Sequence, residues 1–260
     1  MKLNYYIVGS LPALTWDGDI RGTLQEYLNE NGCMLDSFND GIDNILLYNE
    51  IRTLEMILNN NEAEMFDPSI ISKERAIAFL EQPMLNRPDE YPDYIEDYFV
   101  RYGDTPSRLE NLNELYLDYF TTLCDSNIPF FNFFGKTALI IRTIVSAYRL
   151  QSKNISLDEK LVGDEEVVQA IIAHKNSADF GLAQVFPEIG RLQSIMEKNT
   201  LEKEKELDLF LLDLLSEYRA DDPFGDHVIY LYIYSLFLRD RWVMLDSTTA
   251  ESLVQEIIQG

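Results

Sequence analysis

Residues 129–153 read PFFNFFGKTALIIRTIVSAYRLQSK, and their spacing decides the fold. Pro129 suits the first turn of a helix, where its missing N–H costs no hydrogen bond. At 100° per residue, Arg142, Ser146, Arg149 and Lys153 fall within about 60° of one another. Ile140, Ile141, Ile144 and Tyr148 lie on the other side. This is an amphipathic helix with a basic stripe. It stands apart chemically, because Asn127 to Leu157 holds Lys136, Arg142, Arg149 and Lys153 and no acid until Asp158, after which Lys160 follows. The whole chain has a formal net charge of −24, and Asp17 to Asp125 alone holds 24 acids against 7 bases. The stripe reads either as a solvated helix face or as a contact for an acidic neighbour, in this chain or in a partner.

The same helical spacing extends outward from this segment. Towards the N-terminus, Thr105-Pro106 opens a helix to about Cys124, with Leu109, Leu112, Leu115, Tyr116 and Tyr119 on its apolar side. Asp93 to Tyr102 reads as a short aromatic helix closed by Gly103. Pro83, Pro88 and Pro92 form an acidic connector and the best boundary, dividing the chain into lobes at 1–88 and 89–260. Asp67-Pro68 reads as an N-cap with Pro at the first helical position, opening a helix to about Glu81. From Asp43, a plausible cap, Ile45, Leu46, Ile51, Leu54, Ile57 and Leu58 recur near period 3.6. Leu3 to Val8 is short enough to be a strand or a helical turn.

Towards the C-terminus, helices are expected over Asp164 to Lys175, Pro187 to Lys198, Thr200 to Arg219 and Pro223 to Leu245. Ser247 caps a last one, with Glu251 near capping-box spacing. The fold class is therefore all-α and multi-helix.

Composition limits the chemistry. With 46% hydrophobic residues, 14 Phe and 15 Tyr, the chain is expected to fold in spite of its charge. The negative balance disfavours nucleic acid and anionic membranes as partners. Val228 to Leu238, a strongly apolar run, is too short to span a bilayer, so no direct membrane insertion is expected. No signal peptide is expected either, because Asn4, Ser10 and Pro12 break the opening apolar run and no small-x-small cleavage site follows before Trp16-Asp17. Cys33 and Cys124 make no disulfide framework, and no metal or other cofactor is expected.

The motifs that imitate enzymes fail on inspection. Gly135-Lys136-Thr137 resembles the end of a phosphate loop, but Phe130 stands where the leading glycine belongs. His174 and His227 lack zinc-site spacing and read as polar or capping residues. Asp221-Asp222-Pro223-Phe224-Gly225-Asp226 superficially resembles an aspartate-rich magnesium motif of isoprenoid synthases, but Pro223 and Gly225 interrupt it. A helix-start acidic cluster is the better account. A catalytic role is not expected.

Three segments resemble known families. Leu3-Asn4-Tyr5-Tyr6-Ile7-Val8-Gly9-Ser10-Leu11-Pro12-Ala13-Leu14 resembles the opening of an uncharacterised bacterial family encoded in V-type ATPase operons that lack a recognisable C-type stalk component. Phe131 through Leu161 is similar to a helix-and-turn of that C-type component (the d-type component in eukaryotes), with Asn154 where that family often has Gly. Pro223 to Leu245, ending in Arg239-Asp240-Arg241-Trp242, resembles its last long helix. The resemblance implies a non-catalytic central-stalk component, coupling the rotary shaft to the membrane ring. Its partners would be the shaft and ring proteins of the V-type ATPase, and it would sit in the cytoplasm, peripheral to the inner membrane. Arg142, Arg149 and Lys153 would then contact acidic groups of those partners. The alternative is a free-standing acidic helical adaptor whose first half binds a basic partner. A third reading, an all-α enzyme acting on an isoprenoid or phosphate substrate, would need Asp222.

Overall fold

The computed structural model describes residues 2–12, 22–59 and 67–246, and every regular element among them is helical. In chain order these are α1 (Lys2–Ser10), α2 (Leu24–Leu35), α3 (Asn39–Asn59), α4 (Lys73–Glu81), α5 (Pro83–Asn86), α6 (Asp93–Arg101), α7 (Thr105–Glu110) and α8 (Leu112–Cys124). They continue as α9 (Pro129–Ser152), α10 (Leu157–Lys160), α11 (Glu165–Ala173), α12 (Ile189–Met196), α13 (Thr200–Ser216) and α14 (Asp226–Asp246). A 3-10 turn, Asp36–Phe38, joins α2 to α3.

Side-chain caps account for many of these starts, because the first helical N–H groups have no partner within the helix. Thr23 accepts from the Glu26 amide, and Glu26 reaches back to the Thr23 amide, completing a capping box. Asp104, Asp164 and Asn199 cap α7, α11 and α13 in the same way. Pro129 occupies the first turn of α9, as its sequence implies.

Leu3 to Val8, readable as a strand or a helical turn, lies in a helix. Two local expectations are corrected. Asp43 lies inside α3 and caps nothing, because the 3-10 turn feeds into the helix four residues earlier, at Asn39. The Asp67–Pro68 pair opens no helix, because α4 begins at Lys73 with Ser72 as its cap. The helix expected after Ser247 lies outside the described residues.

The chain divides into two compact units, Met1–Tyr119 with Arg219–Gly260, and Phe120–Tyr218. The division runs through α8. In the first unit α3 packs on α14, and Tyr48 gathers the core by stacking on Tyr119 at 5.4 Å and meeting Phe237 edge-on at 5.9 Å. A second cluster sets Phe79 edge-on to Tyr91 and Phe99, each at 5.2 Å. The boundary expected at residue 88 lies inside this unit. There Arg87 pairs with Asp93 and Glu96, and Arg75 pairs with Glu90.

The core of the second unit is α9, against which α10, α11, α12 and α13 all pack. Its inward face buries Phe130, Phe131, Phe134, Ala138, Ile141, Ile144, Val145 and Ala147. Each fully buried Phe or Ile contributes about 1.5–3 kcal/mol relative to exposure, so this one face supplies much of the unit's hydrophobic stabilisation. By length and composition α9 could cross a membrane, but over half of its apolar window is buried within the protein, as in a core helix.

Candidate functional site

The basic stripe lies on the side of α9 away from this apolar face. Arg142 and Ser146 are half-buried, while Arg149 and Lys153 are exposed. Arg149 donates through Nη2 to Glu204 of α13 at 2.8 Å. The acidic neighbour for this base is therefore found within the same unit. Glu204 belongs to the run Glu202-Lys203-Glu204-Lys205-Glu206, which by composition should be solvated, yet Lys203 to Glu206 are all half-buried. Two acids of the run are paired, since Glu206 also accepts from Lys198, two residues before the helix.

Other bases of this unit are neutralised similarly. Lys175 pairs with Asp158 at 2.7 Å, and Arg191 pairs with Asp213 at 2.5 Å while resting on the Phe210 ring. Lys136, Lys153 and Lys160 are exposed, and none of them is in an ion pair among the described residues. The uncompensated charge of the stripe thus lies at its C-terminal end, on Lys153.

The helix end holding Lys153 is built by a local turn. The Ile155 amide donates to Leu150 O and the Asn154 amide to Gln151 O, both at 2.9 Å, which is the Schellman pattern. It requires a left-handed residue at Asn154, whose φ is +56°. Gly and Asn tolerate that conformation best. This accounts physically for Asn154 occupying a position where glycine is also at home.

The motifs that imitate enzymes have structural roles. Gly135 sits inside α9, so Gly135-Lys136-Thr137 forms no loop. A Cβ there would lie 2.6 Å from the Cys124 amide nitrogen, so the missing side chain lets α9 approach the end of α8. His174 caps α11, with Nδ1 3.0 Å from Ala170 O. Asp222 accepts from the Phe224 amide at 2.9 Å in the turn leading into α14, consistent with a helix-start cluster. Burial pushes the Cys124 thiol above its ordinary pKa, the opposite of an activated nucleophile. No group of three or more His, Cys, Asp or Glu among the described residues is arranged to hold a metal.

A groove of about 320 Å³, which the linear sequence does not announce, lies between α1 and α2. It is lined by Tyr6, Ile7, Tyr27, Glu30, Met34 and Leu35 among others. Its one local signal is the aromatic opening Tyr5-Tyr6, whose rings remain 47% and 67% exposed. The partner helix, some twenty residues on, carries no pattern that would pair it with α1.

No curated protein and no solved structure matches the chain. The model of a family described as a protein of unknown function, DUF2764, matches residues 1–260.

Proposed function

The chain belongs to the DUF2764 family, and we propose that it is a non-catalytic central-stalk component of a bacterial V-type ATPase, standing where the C-type component stands in other such enzymes. The observation that carries this reading is the similarity of Phe131 through Leu161 to the helix-and-turn of that component. The resemblance of Leu3 through Leu14 to a family encoded in V-type ATPase operons supports it independently. In this role the protein couples the rotary shaft to the membrane ring from the cytoplasmic side. Torque transmission needs stiff helical bodies and complementary surfaces, and it needs no nucleophile, metal or nucleotide. The buried, aromatic-rich face of α9 suits that demand, because close-packed interiors transmit strain with little compression. Lys153, with Arg142 and Arg149 beside it, is the proposed contact for acidic groups of the shaft or ring.

The test is a tagged pull-down from native membranes with mass spectrometry of what co-purifies. Recovery of the catalytic, shaft and ring proteins in fixed ratio is the expected result. Recovery of the protein alone, or with an unrelated basic protein, would overturn the stalk reading in favour of the acidic adaptor.

A further inference from the structure

We propose that the α1–α2 groove, with the aromatic surface beside it, is a docking site for a basic protein segment that inserts an apolar side chain. This does not depend on the stalk reading and concerns a different surface from the basic stripe.

Three observations converge on it. First, the groove is amphipathic: Tyr6, Ile7, Pro12, Tyr27, Met34 and Leu35 give it an apolar and aromatic side, beside the polar Ser10, Glu30 and Asn31. Tyr6 is 67% exposed at its rim, Tyr5 is 47% exposed, and Tyr5 lies against the partly exposed Phe224 ring at 4.7 Å. Tyrosine is favoured at binding hot spots because it offers large, rigid area with a polar tip.

Second, the charges along α2 and the start of α3 are all acidic. Glu30 lines the groove. Glu26, Asp36, Asp40 and Asp43 are exposed along α2 and the start of α3, and no base occurs from Gly22 until Arg52. An anionic ligand would be repelled, and a second copy of the chain would set these carboxylates against themselves. Lysine- or arginine-bearing segments are attracted and steered by the same field.

Third, the α2 wall is held in place. The Asp240 carboxylate of α14 accepts from the Leu24 amide at the start of α2, at 2.5 Å. The buried Arg239 beside it donates to Gly22 O. Preorganised surfaces of this kind lose less entropy on binding. An amphipathic helix with leucines on one face and lysines on the other meets all three conditions.

The experiment uses the full chain and a synthetic peptide with leucine at i, i+3, i+4 and i+7 and lysine elsewhere, beside a scrambled peptide of the same composition. Binding is followed by fluorescence anisotropy at about 0.15 M salt, where screening has cut the long-range field to roughly 8 Å. The patterned peptide is expected to bind more tightly than the scrambled one. Tyr6→Ser and Glu30→Lys are each expected to weaken it at least about fivefold. Val185→Ser, at another exposed apolar residue, is the control and leaves binding unchanged. Circular dichroism checks that each variant folds. Equal binding of the two peptides would mean that bulk charge alone attracts them, and would overturn the proposal. So would unchanged binding by both groove variants, or a stable homodimer in sedimentation that Tyr6→Ser dissociates.

Discussion

The Glu50 carboxylate accepts a hydrogen bond from the Tyr91 hydroxyl at 2.5 Å, across 41 residues of sequence. Its other oxygen accepts from the Ile70 amide at 2.9 Å, so one buried side chain ties α3 to the segment before α4 and to the turn before α6. Burial raises the Glu50 pKa, and the bonds from Tyr91, Ile70 and Ile71 only partly oppose the rise. A carboxyl group whose pKa is higher folded than unfolded binds more protons in the native state. Its ionisation therefore costs stability as pH rises above the unfolded value of about 4.3. Glu50→Gln removes that cost and keeps one acceptor. Relative to the parent, the variant is expected to gain in Tm as pH is raised from about 4.5 towards 7.5. A constant difference across that range would sink the argument. Glu50→Ala orphans the Tyr91 hydroxyl and the Ile70 amide and should cost about 2–4 kcal/mol.

Arg108 is 5% exposed and has no acidic partner among its hydrogen bonds. It donates instead to three carbonyls, Tyr102 O and Leu80 O at 2.7 Å and Phe99 O at 3.3 Å, while lying over the Phe99 ring. The Tyr98 hydroxyl in turn donates to the Arg108 carbonyl. The fork of the guanidinium is what lets one side chain close α4, α6 and α7 together. A lysine keeps the charge without the fork. Urea unfolding should show Arg108→Ala destabilised by about 3–4 kcal/mol and Arg108→Lys by about 2 kcal/mol. Equal behaviour of Lys and Arg here would mean that charge, not geometry, is what this position needs.

Gly135 and Gly32 test the close approach of α9 to α8. Both are helical, and alanine has the better helix propensity by about 1 kcal/mol. At Gly32 a Cβ meets nothing within 4 Å, so Gly32→Ala is expected to stabilise. At Gly135 the Cβ would strike backbone atoms of Leu123 and Cys124 at 2.6–2.8 Å, which no rotamer change relieves. Gly135→Ala should destabilise by about 1–3 kcal/mol. Opposite signs of ΔTm in the two variants are the expected outcome.

Helix identity is legible in the sequence wherever apolar residues repeat, as at Ile141 and Ile144, because burying one face imposes a local period. Caps such as Asp164 are legible for the same local reason. Asp43 misleads because a 3-10 turn takes the place of a cap, and Asp67–Pro68 misleads because Pro at a helix start and Pro in a connecting turn look alike in one dimension. Glu50 and Arg108 read as ordinary charged residues, since their partners lie 10 to 41 residues away or are backbone carbonyls. The basic stripe is visible in full, but not that Arg149 already has Glu204. Nor is the groove, whose walls come from two helices with no shared pattern.

The stripe yields a prediction in which its members act differently. The Arg149–Glu204 pair is half exposed, with side chains 52% and 38% accessible, so its net contribution is under about 1 kcal/mol. Arg149→Glu should lower Tm slightly and more so at low salt, by placing like charges together. Lys153 is in no ion pair among the described residues, so Lys153→Glu should lower Tm only slightly, through the dipole at the end of α9. If the stripe docks on the rotary ATPase, co-purification of shaft or ring proteins should fall more for Lys153→Glu than for Arg149→Glu, because the Arg149 charge is already spent inside the unit and the Lys153 charge is not. Reversal of Arg142, Arg149 and Lys153 together, in a protein that still folds, should abolish it. Undiminished recovery with the triple variant would remove the stripe from the interface while leaving the stalk role to be carried by another face.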